Sequence, residues 1–333
     1  MKSISSSRTA TRKKALRWAW VIGLVLFGIL LYKIGPEEIW SDIKKLSWTS
    51  VLVLILLRAV YWSSRTLIWK IVIESYDCRA SFANLLSARL AGYAVSYVTP
   101  GAFFGGEAIR AIMVDTANRK KCLASIVVDR SLEITAAIFF AEVAGAIALT
   151  RLAMPFRAKV VLAVSIALLG TFILFTLAKE KQGFFLWIIA ALAKLRIRFK
   201  FLQARMPKIQ ETDEYISDFY RSHRRTFFLV LFFYALAHLF WVSEIYFTLK
   251  FIGAAGVTVV KAFLVVSLSV FGFIIPAIPG SLGTLEATNV ALFVLLGLGA
   301  GTGFSMTIIR RILSLIGSGV GLGLMAVKRI QRQ

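Results

Sequence analysis

Residues 99–107 read Thr-Pro-Gly-Ala-Phe-Phe-Gly-Gly-Glu, and residues 279–286 read Pro-Gly-Ser-Leu-Gly-Thr-Leu-Glu. In each stretch a Pro-Gly pair is followed by further glycine and, seven residues after the proline, by a glutamate. Each motif interrupts an apolar region, which predicts a broken helix at membrane depth. Such breaks are tolerated only where they line a cavity or are buried in protein. Two breaks at corresponding places in two halves are typical of a transporter-like binding site.

The composition indicates an all-α, polytopic membrane protein. Hydrophobic residues make up 58% of the 333 residues, and the mean hydropathy is +0.77. The net charge of +23 comes from 40 Lys and Arg against 17 Asp and Glu. Basic loops facing the cytoplasm and anionic lipid headgroups explain this excess better than nucleic acid, because no nucleic-acid recognition module is visible. With two cysteines and two histidines, we expect no metal site and no cofactor.

Membrane spans need about twenty mainly apolar residues. We predict about six of them, at 15–34, 48–73, 122–149, 158–178, 226–250 and 303–327. Two further apolar regions, 82–115 and 259–298, contain the motifs, and the runs on either side of each break are too short to span separately. We therefore expect each region to form a re-entrant helical hairpin.

The distribution of basic residues predicts the topology. With the N-terminus inside, 25 Lys and Arg lie in cytoplasmic segments and 8 in external ones, as the positive-inside rule requires. Both termini are then cytoplasmic, in the inner (plasma) membrane, and the two hairpins open to opposite faces. This arrangement describes an inverted repeat within a single domain, 1–333. Its halves are 15–150 and 226–327, and a connecting span with a basic cytoplasmic segment occupies 151–225.

The motif glutamates Glu107 and Glu286 fall in or near the first turn of the helix that restarts after each break. A carboxylate there caps the helix by accepting from free backbone N–H groups. The same helix start, with glycine allowing close approach, also suits a bound phosphate. The two interpretations are compatible, and capping alone does not require two matched breaks. We therefore predict a functional site at these motifs.

Charged residues within the apolar segments form the second set of candidates. The intramembrane arginines are Arg58, Arg65, Arg89, Arg130, Arg310 and Arg311. They either pair internally (Arg130 with Asp129 or Glu133, Arg310 with Glu286) or line a cationic path for a lipid phosphate, which the guanidinium fork suits. Both interpretations stay open. His238 and Glu244, on the fifth span, form either a proton relay or a polar packing contact.

The paired motifs, together with Ala108, Arg110 and Val128-Asp129-Arg130, resemble the lysylphosphatidylglycerol synthase transmembrane (flippase-like) family. That family includes the UPF0104 membrane proteins and the membrane part of multiple peptide resistance factor. The resemblance covers roughly residues 15–327 and implies movement of lipid between leaflets. The soluble aminoacyl-transferase domain of the larger relatives is absent, so lysyl transfer is not implied and no enzyme activity is expected. The first motif also has Ala102 and Phe103 where relatives often have a second glycine after the first.

The function expected from the sequence is translocation of an anionic or amphiphilic phospholipid, or a polyprenyl-type lipid, between leaflets. The partners would be membrane lipids, with a separate lipid-modifying enzyme as a further candidate. The residues expected to meet the lipid are Thr99, Pro100, Gly101, Gly105, Gly106, Glu107, Arg110, Arg130, Pro279, Gly280, Gly283, Glu286 and Arg310. Two alternatives remain: a membrane transferase acting on a lipid-phosphate donor, and a non-transporting partner of a cell-envelope lipid synthase.

Overall fold

The computed structural model describes residues 24–99, 105–116, 118–180, 183, 186–187, 189, 206–273 and 281–330. We number its helices along the chain. They are α1 (Leu24–Ile34), α2 (Pro36–Lys44), α3 (Trp48–Glu74), α4 (Phe82–Val98), α5 (Gly105–Met113), α6 (Arg119–Arg151), α7 (Phe156–Glu180), α8 (Met206–Ser222), α9 (Arg224–Phe251), α10 (Val259–Leu268), α11 (Thr284–Leu295) and α12 (Ala300–Ile330). A 3₁₀ turn, Ser269–Phe273, continues α10.

Five helices are long and apolar enough to cross a membrane: α3, α6, α7, α9 and α12. They coincide with five of the predicted spans. The described part of the first predicted span is the apolar helix α1, whose Phe27 ring lies 5.5 Å from that of Phe304 on α12; residues 15–23 lie outside the described ranges. Large apolar and aromatic side chains cover the outside of the bundle, among them Tyr32, Trp48 and Phe156. The chain is an all-helical membrane protein in its described part.

Helices α4 and α5 form an antiparallel hairpin. At its open end the Asn84 side chain donates to Asp115 over 2.9 Å and accepts from the Asp115 backbone N–H over 3.0 Å. Towards the tip, Gly92 and Gly106 bring the two backbones into direct contact, and a Cβ on Gly106 would collide with the Gly92 carbonyl. The Gly106 N–H donates to the Ser96 hydroxyl, 3.1 Å away. The lack of side chains at Gly92 and Gly106 therefore allows α4 and α5 to pack this closely.

The second hairpin joins α10 and its 3₁₀ turn to α11. The Thr284 hydroxyl, at the start of α11, donates to the Gly272 carbonyl over 3.1 Å. Further from the tip, the Ser269 hydroxyl donates to the Asn289 side chain over 2.7 Å. These contacts show that α11 runs back along the 3₁₀ turn and α10. The backbone approach again occurs at a glycine, since a Cβ on Gly272 would lie 3.3 Å from the Leu285 backbone.

The long helix α12 relates the two hairpins to each other. Near its C-terminal end, Lys328 donates to the Met113 carbonyl at the open end of the first hairpin, and Gly321 lies against the Leu90 backbone. Near its N-terminal end, Gly303 lies against Phe293, close to the end of α11. The open ends of the two hairpins therefore face opposite ends of α12.

The packing of helices repeats between the two halves. Helix α4 packs on α12 and α10 packs on α6; likewise α2 packs on α12 and α8 packs on α6. Helices α3 and α9, which occupy equivalent places, pack against each other. Each of the long helices α6 and α12 thus packs against one short helix and one hairpin helix. Helix α8, which lies in the connecting segment 151–225, has the place at α6 that α2 has at α12.

Helix α8 packs by its apolar face against the turn that follows α3. The Tyr76 hydroxyl in that turn donates to the Tyr215 carbonyl of α8 over 3.1 Å. Burial raises the pKa of Tyr76 well above its ordinary value, so this phenol stays a neutral donor. Ile216 and Phe219 of α8 are fully buried in the same cluster. The helix is anchored to the bundle by apolar contacts.

Candidate functional site

The described residues next to the tips of the two hairpins meet at Arg311 of α12. Its Nη1 donates to the Tyr97 hydroxyl near the end of α4 over 3.3 Å, and its Nη2 donates to the Ser281 carbonyl before α11 over 3.3 Å. Its Nε forms an ion pair with Glu286. Arg311 lies eleven residues into α12, roughly 17 Å from the start of the helix. We call Tyr97, Ser281, Glu286, Arg310 and Arg311 the tip site.

Glu286 both caps α11 and pairs with Arg311. One carboxylate oxygen accepts from the Gly283 backbone N–H over 2.7 Å, and the other accepts from Arg311. Gly283 has a φ of +81°, which glycine adopts without a Cβ clash. The carboxylate is fully buried. The capping interpretation is therefore confirmed, and the partner of Glu286 is Arg311; the alternative pairing of Glu286 with Arg310 is wrong.

Arg310 points to a different neighbourhood from Arg311. Its guanidinium carbon lies 5.1 Å from the centre of the Trp241 ring, a distance typical of a cation–π contact. Its Nη1 is buried and has no hydrogen-bond partner in the part of the chain that the structure describes. Arg58, which lies within electrostatic reach of Arg310, is already paired: its Nε and Nη2 donate to Glu244 over 2.7 and 2.5 Å.

A second charged group, which we call the aspartate cluster, lies in the first half. Asp129 of α6 accepts from Arg89 of α4 over 2.9 and 3.1 Å and from Arg110 of α5 over 2.6 Å. The Tyr234 hydroxyl of α9 donates to the same carboxylate over 2.8 Å. The Arg110 guanidinium lies 3.9 Å from the centre of the Trp69 ring. All three charged side chains are buried, and one carboxylate serves two guanidinium groups.

Glu107, the motif glutamate of the first half, has fewer and longer contacts than Glu286. Arg130 donates to Glu133 over 2.8 Å, as one of the two expected pairings predicts, and its Nε is 3.9 Å from Glu107. Glu133 also forms an ion pair with Arg65. The second carboxylate oxygen of Glu107 is buried and has no hydrogen-bond partner among the described residues. Glu107 thus lies in the first turn of α5, beside an arginine that is held mainly by another acid.

Aromatic side chains lie beside both charged groups. The Tyr61 ring of α3 lies 5.8 Å from the Trp241 ring of α9, and the Tyr61 hydroxyl accepts from Arg65 over 2.7 Å. On α4, the ring of Tyr93 lies 5.8 Å from that of Tyr97. Rings with polar edges suit a surface along which an amphiphile lies, because they offer apolar contact and hydrogen bonds together.

The remaining predicted site residues either lie outside the described residues or have only local contacts. Pro100, Gly101, Pro279 and Gly280 are outside the described residues. The Thr99 hydroxyl donates to a carbonyl one turn back in α4, and Gly105 is the first residue of α5.

The two members of the predicted proton relay have separate partners. His238 Nε2 lies 3.0 Å from the Ser267 hydroxyl, and its ring stacks on Phe140 at 4.0 Å. Glu244 binds Arg58. His238 and Glu244 thus contact different neighbours, and the relay stays a prediction.

Tyr97 and Tyr234 belong to these clusters although the sequence did not single them out, whereas Arg89 and Arg311 were candidates only as members of the set of intramembrane arginines. The only sequence signal for the two arginines is a charge inside an apolar run. The hydroxyl of Tyr97 has no such signal, because tyrosine is common near membrane interfaces. Its role depends on the position of the hairpin tip.

The family described as the lysylphosphatidylglycerol synthase TM region matches residues 17–321. The chain belongs to this family. A UPF0104 membrane protein of Pyrococcus horikoshii is 24% identical over 318 residues, covering 88% of this chain and 91% of the relative. A UPF0104 membrane protein of Methanothermobacter thermautotrophicus is 22% identical over 306 residues, covering 88% and 89%. No solved structure matches the chain.

Proposed function

We propose that this protein moves an anionic or amphiphilic lipid between the leaflets of the plasma membrane. The observation that carries the proposal is that Arg311 contacts both oppositely directed hairpins, beside Arg310, whose buried Nη1 has no hydrogen-bond partner among the described residues. In this proposal the hairpins are re-entrant, the tip site lies near the bilayer midplane, and both termini are cytoplasmic. Family membership supports a role in lipid handling.

Access from either side would alternate between the two hairpins. The first hairpin would open towards the cytoplasm and the second towards the outside, with α12 passing between them. A phosphate would meet guanidinium groups and the amide groups of the helix starts, both of which favour an anion. The aromatic side chains would hold the apolar part of the lipid. Because two half-repeats can exchange conformations, the same residues would close one path while the other opens.

Leaflet exchange in proteoliposomes tests the proposal. The probes are labelled phosphatidylglycerol, its lysyl form and a polyprenyl phosphate, and wild type is compared with Glu286→Gln. The matched control is Asp218→Asn, the same loss of charge at an exposed position of α8. We expect wild type and control to exchange at least one lipid and Glu286→Gln to lose that exchange. No exchange of any lipid by folded wild type would overturn the proposal.

Mass spectrometry of the recovered lipid separates the alternatives. Unchanged lipid in the opposite leaflet supports translocation, whereas a new product without a change of leaflet supports a transferase.

A double variant, Glu286→Gln with Arg311→Gln, removes both members of the ion pair. It distinguishes loss of transport from the misfolding that a single unpaired buried charge causes.

A further inference from the structure

The charges inside the helix bundle form two groups, and each group has one guanidinium more than it has carboxylates. In the group around the aspartate cluster, four guanidinium groups face three carboxylates. They are Arg65, Arg89, Arg110 and Arg130, against Glu107, Asp129 and Glu133. In the group around the tip site, three guanidinium groups face two carboxylates. They are Arg58, Arg310 and Arg311, against Glu244 and Glu286.

No other part of the chain supplies the missing negative charges. All 17 Asp and Glu residues belong to the described ranges, and the segments outside them contain none. Of the other carboxyl groups near these helices, Glu142 lies on the α7 side of α6 against Gly170, and the buried Glu180 accepts from the Ser131 hydroxyl; neither forms an ion pair with an arginine in the described ranges. The sequence therefore contains no further Asp or Glu that pairs with the surplus arginines.

A guanidinium group without a counter-charge is costly away from water. In the group around the tip site the surplus falls on Arg310, whose Nη1 is buried and has no hydrogen-bond partner among the described residues. In the other group it falls on Arg89 and Arg110, which share Asp129; the Nε atoms of both are buried without partners in the described ranges. Each group thus has one position where a single negative charge restores the balance.

We infer that the protein has two anion sites in series, each taking one singly charged phosphodiester group. One site is at Arg310 beside Trp241, and the other is at the aspartate cluster, where Arg110 faces Trp69. A phosphodiester carries one negative charge, which matches each surplus, whereas a phosphomonoester carries close to two at neutral pH. Tyr61 lies between the sites, in contact with Trp241 and Arg65. The assignment of the phosphodiester to a lipid headgroup rests on the proposed function.

Binding stoichiometry tests this inference directly. Purified protein in a nonionic detergent at physiological salt is titrated with short-chain phosphatidylglycerol, and bound lipid is counted by native mass spectrometry. We expect two lipids on wild type, one on Arg310→Gln, one on Arg110→Gln and none on the double variant, with each lost site weakened about tenfold or more. Lys250→Gln, at an exposed end of α9, is the matched control and should keep two.

Lysine variants and two further ligands serve as controls for the stoichiometry experiment. Arg310→Lys and Arg110→Lys retain the charge and should retain two lipids, which separates charge from packing if a glutamine variant unfolds. Phosphatidic acid, with its phosphomonoester, should bind more weakly than phosphatidylglycerol. Deacylated glycerophosphoglycerol distinguishes a headgroup site from a free phosphodiester site: binding as tight as that of the lipid would overturn the lipid assignment.

The two proposals fail separately. Two bound lipids that depend on Arg310 and Arg110, without leaflet exchange, would overturn translocation and leave the sites standing. Leaflet exchange with unchanged stoichiometry in Arg310→Gln and Arg110→Gln would overturn the two-site inference and leave translocation standing.

Discussion

Arg311 donates to the Tyr97 hydroxyl over 3.3 Å and so links a side chain of α12, held by Glu286, to the tip of the opposite hairpin. This contact joins segments that are 214 residues apart. The two bonds of Arg311 differ in kind, because the bond to Glu286 is a buried ion pair and the bond to Tyr97 is a single hydrogen bond to a neutral group. Their strengths are therefore expected to differ.

Tyr97→Phe should cost much less stability than Glu286→Gln. Loss of one hydrogen bond to a charged donor costs about 1.5–3 kcal/mol at most, whereas breaking a buried pair costs about 3–5 kcal/mol because an unpaired charge remains. Thermal unfolding of both variants in the same detergent shows which variant loses more stability. Equal losses would mean that Arg311 is not held chiefly by Glu286.

The glycine contact in the first hairpin predicts a steric effect. In Gly106→Ala, the new Cβ would collide with the Gly92 carbonyl, and such overpacking costs about 1–3 kcal/mol. Gly323→Ala, on α12 with nothing within 4 Å of the added Cβ, is the matched control and should be neutral or slightly stabilising because alanine favours helix. Thermal unfolding compares the two variants. Equal effects of the two substitutions on stability would contradict the close packing of α4 against α5.

Two acids of α6 should differ strongly in their response to amide substitution. Asp129→Asn leaves Arg89 and Arg110 without a carboxylate and should cost about 3–5 kcal/mol. Glu142 forms no ion pair in the described ranges, and its Oε1 has no hydrogen-bond partner there, so Glu142→Gln should change stability by less than about 1 kcal/mol. The free energy of unfolding of each variant is the measurement. A large loss in Glu142→Gln would reveal a partner for this carboxylate.

The spans and the helix breaks follow from local sequence, but the pairing of the charges does not. Apolar runs of sufficient length predict the five long helices, and each Pro-Gly pair predicts an interruption, because both signals lie in neighbouring residues. Arg310 and Arg311 are adjacent and lie about 100° apart around α12. Which of them faces Glu286 depends on the rotation of the helix, and contacts such as Gly321 with the Leu90 backbone help to fix that rotation.

The aspartate cluster needs the same kind of information. Arg89 and Arg110 lie 40 and 19 residues before Asp129, on three different helices. They meet only because the first hairpin closes at its glycines and packs against α6. The hydrophobic periodicity of one helix does not indicate contacts between side chains on three different helices. The sequence therefore predicts that these charges need partners, and the fold decides which partners they have.

Opposite openings of the two hairpins predict opposite accessibility of the loops next to them. Arg79, before the first hairpin, and Ala255, before the second, are both exposed. In a protein with the buried Cys78 and Cys122 replaced by alanine, we introduce Arg79→Cys or Ala255→Cys. A membrane-impermeant maleimide should label the second variant in intact cells. It should label the first only after permeabilisation, because the proposed topology has that loop in the cytoplasm.

Solvent-exposed Asp218, on α8, provides the reference for the cytoplasmic side, so Asp218→Cys should behave as Arg79→Cys does. Labelling of Arg79→Cys and Ala255→Cys from one side would contradict the inverted arrangement, since the loops flank hairpins that face opposite ends of α12. Labelling of Arg79→Cys from outside and Ala255→Cys from inside would keep the inversion and reverse the orientation. Only the expected pattern fits both the charge distribution and the packing around α12.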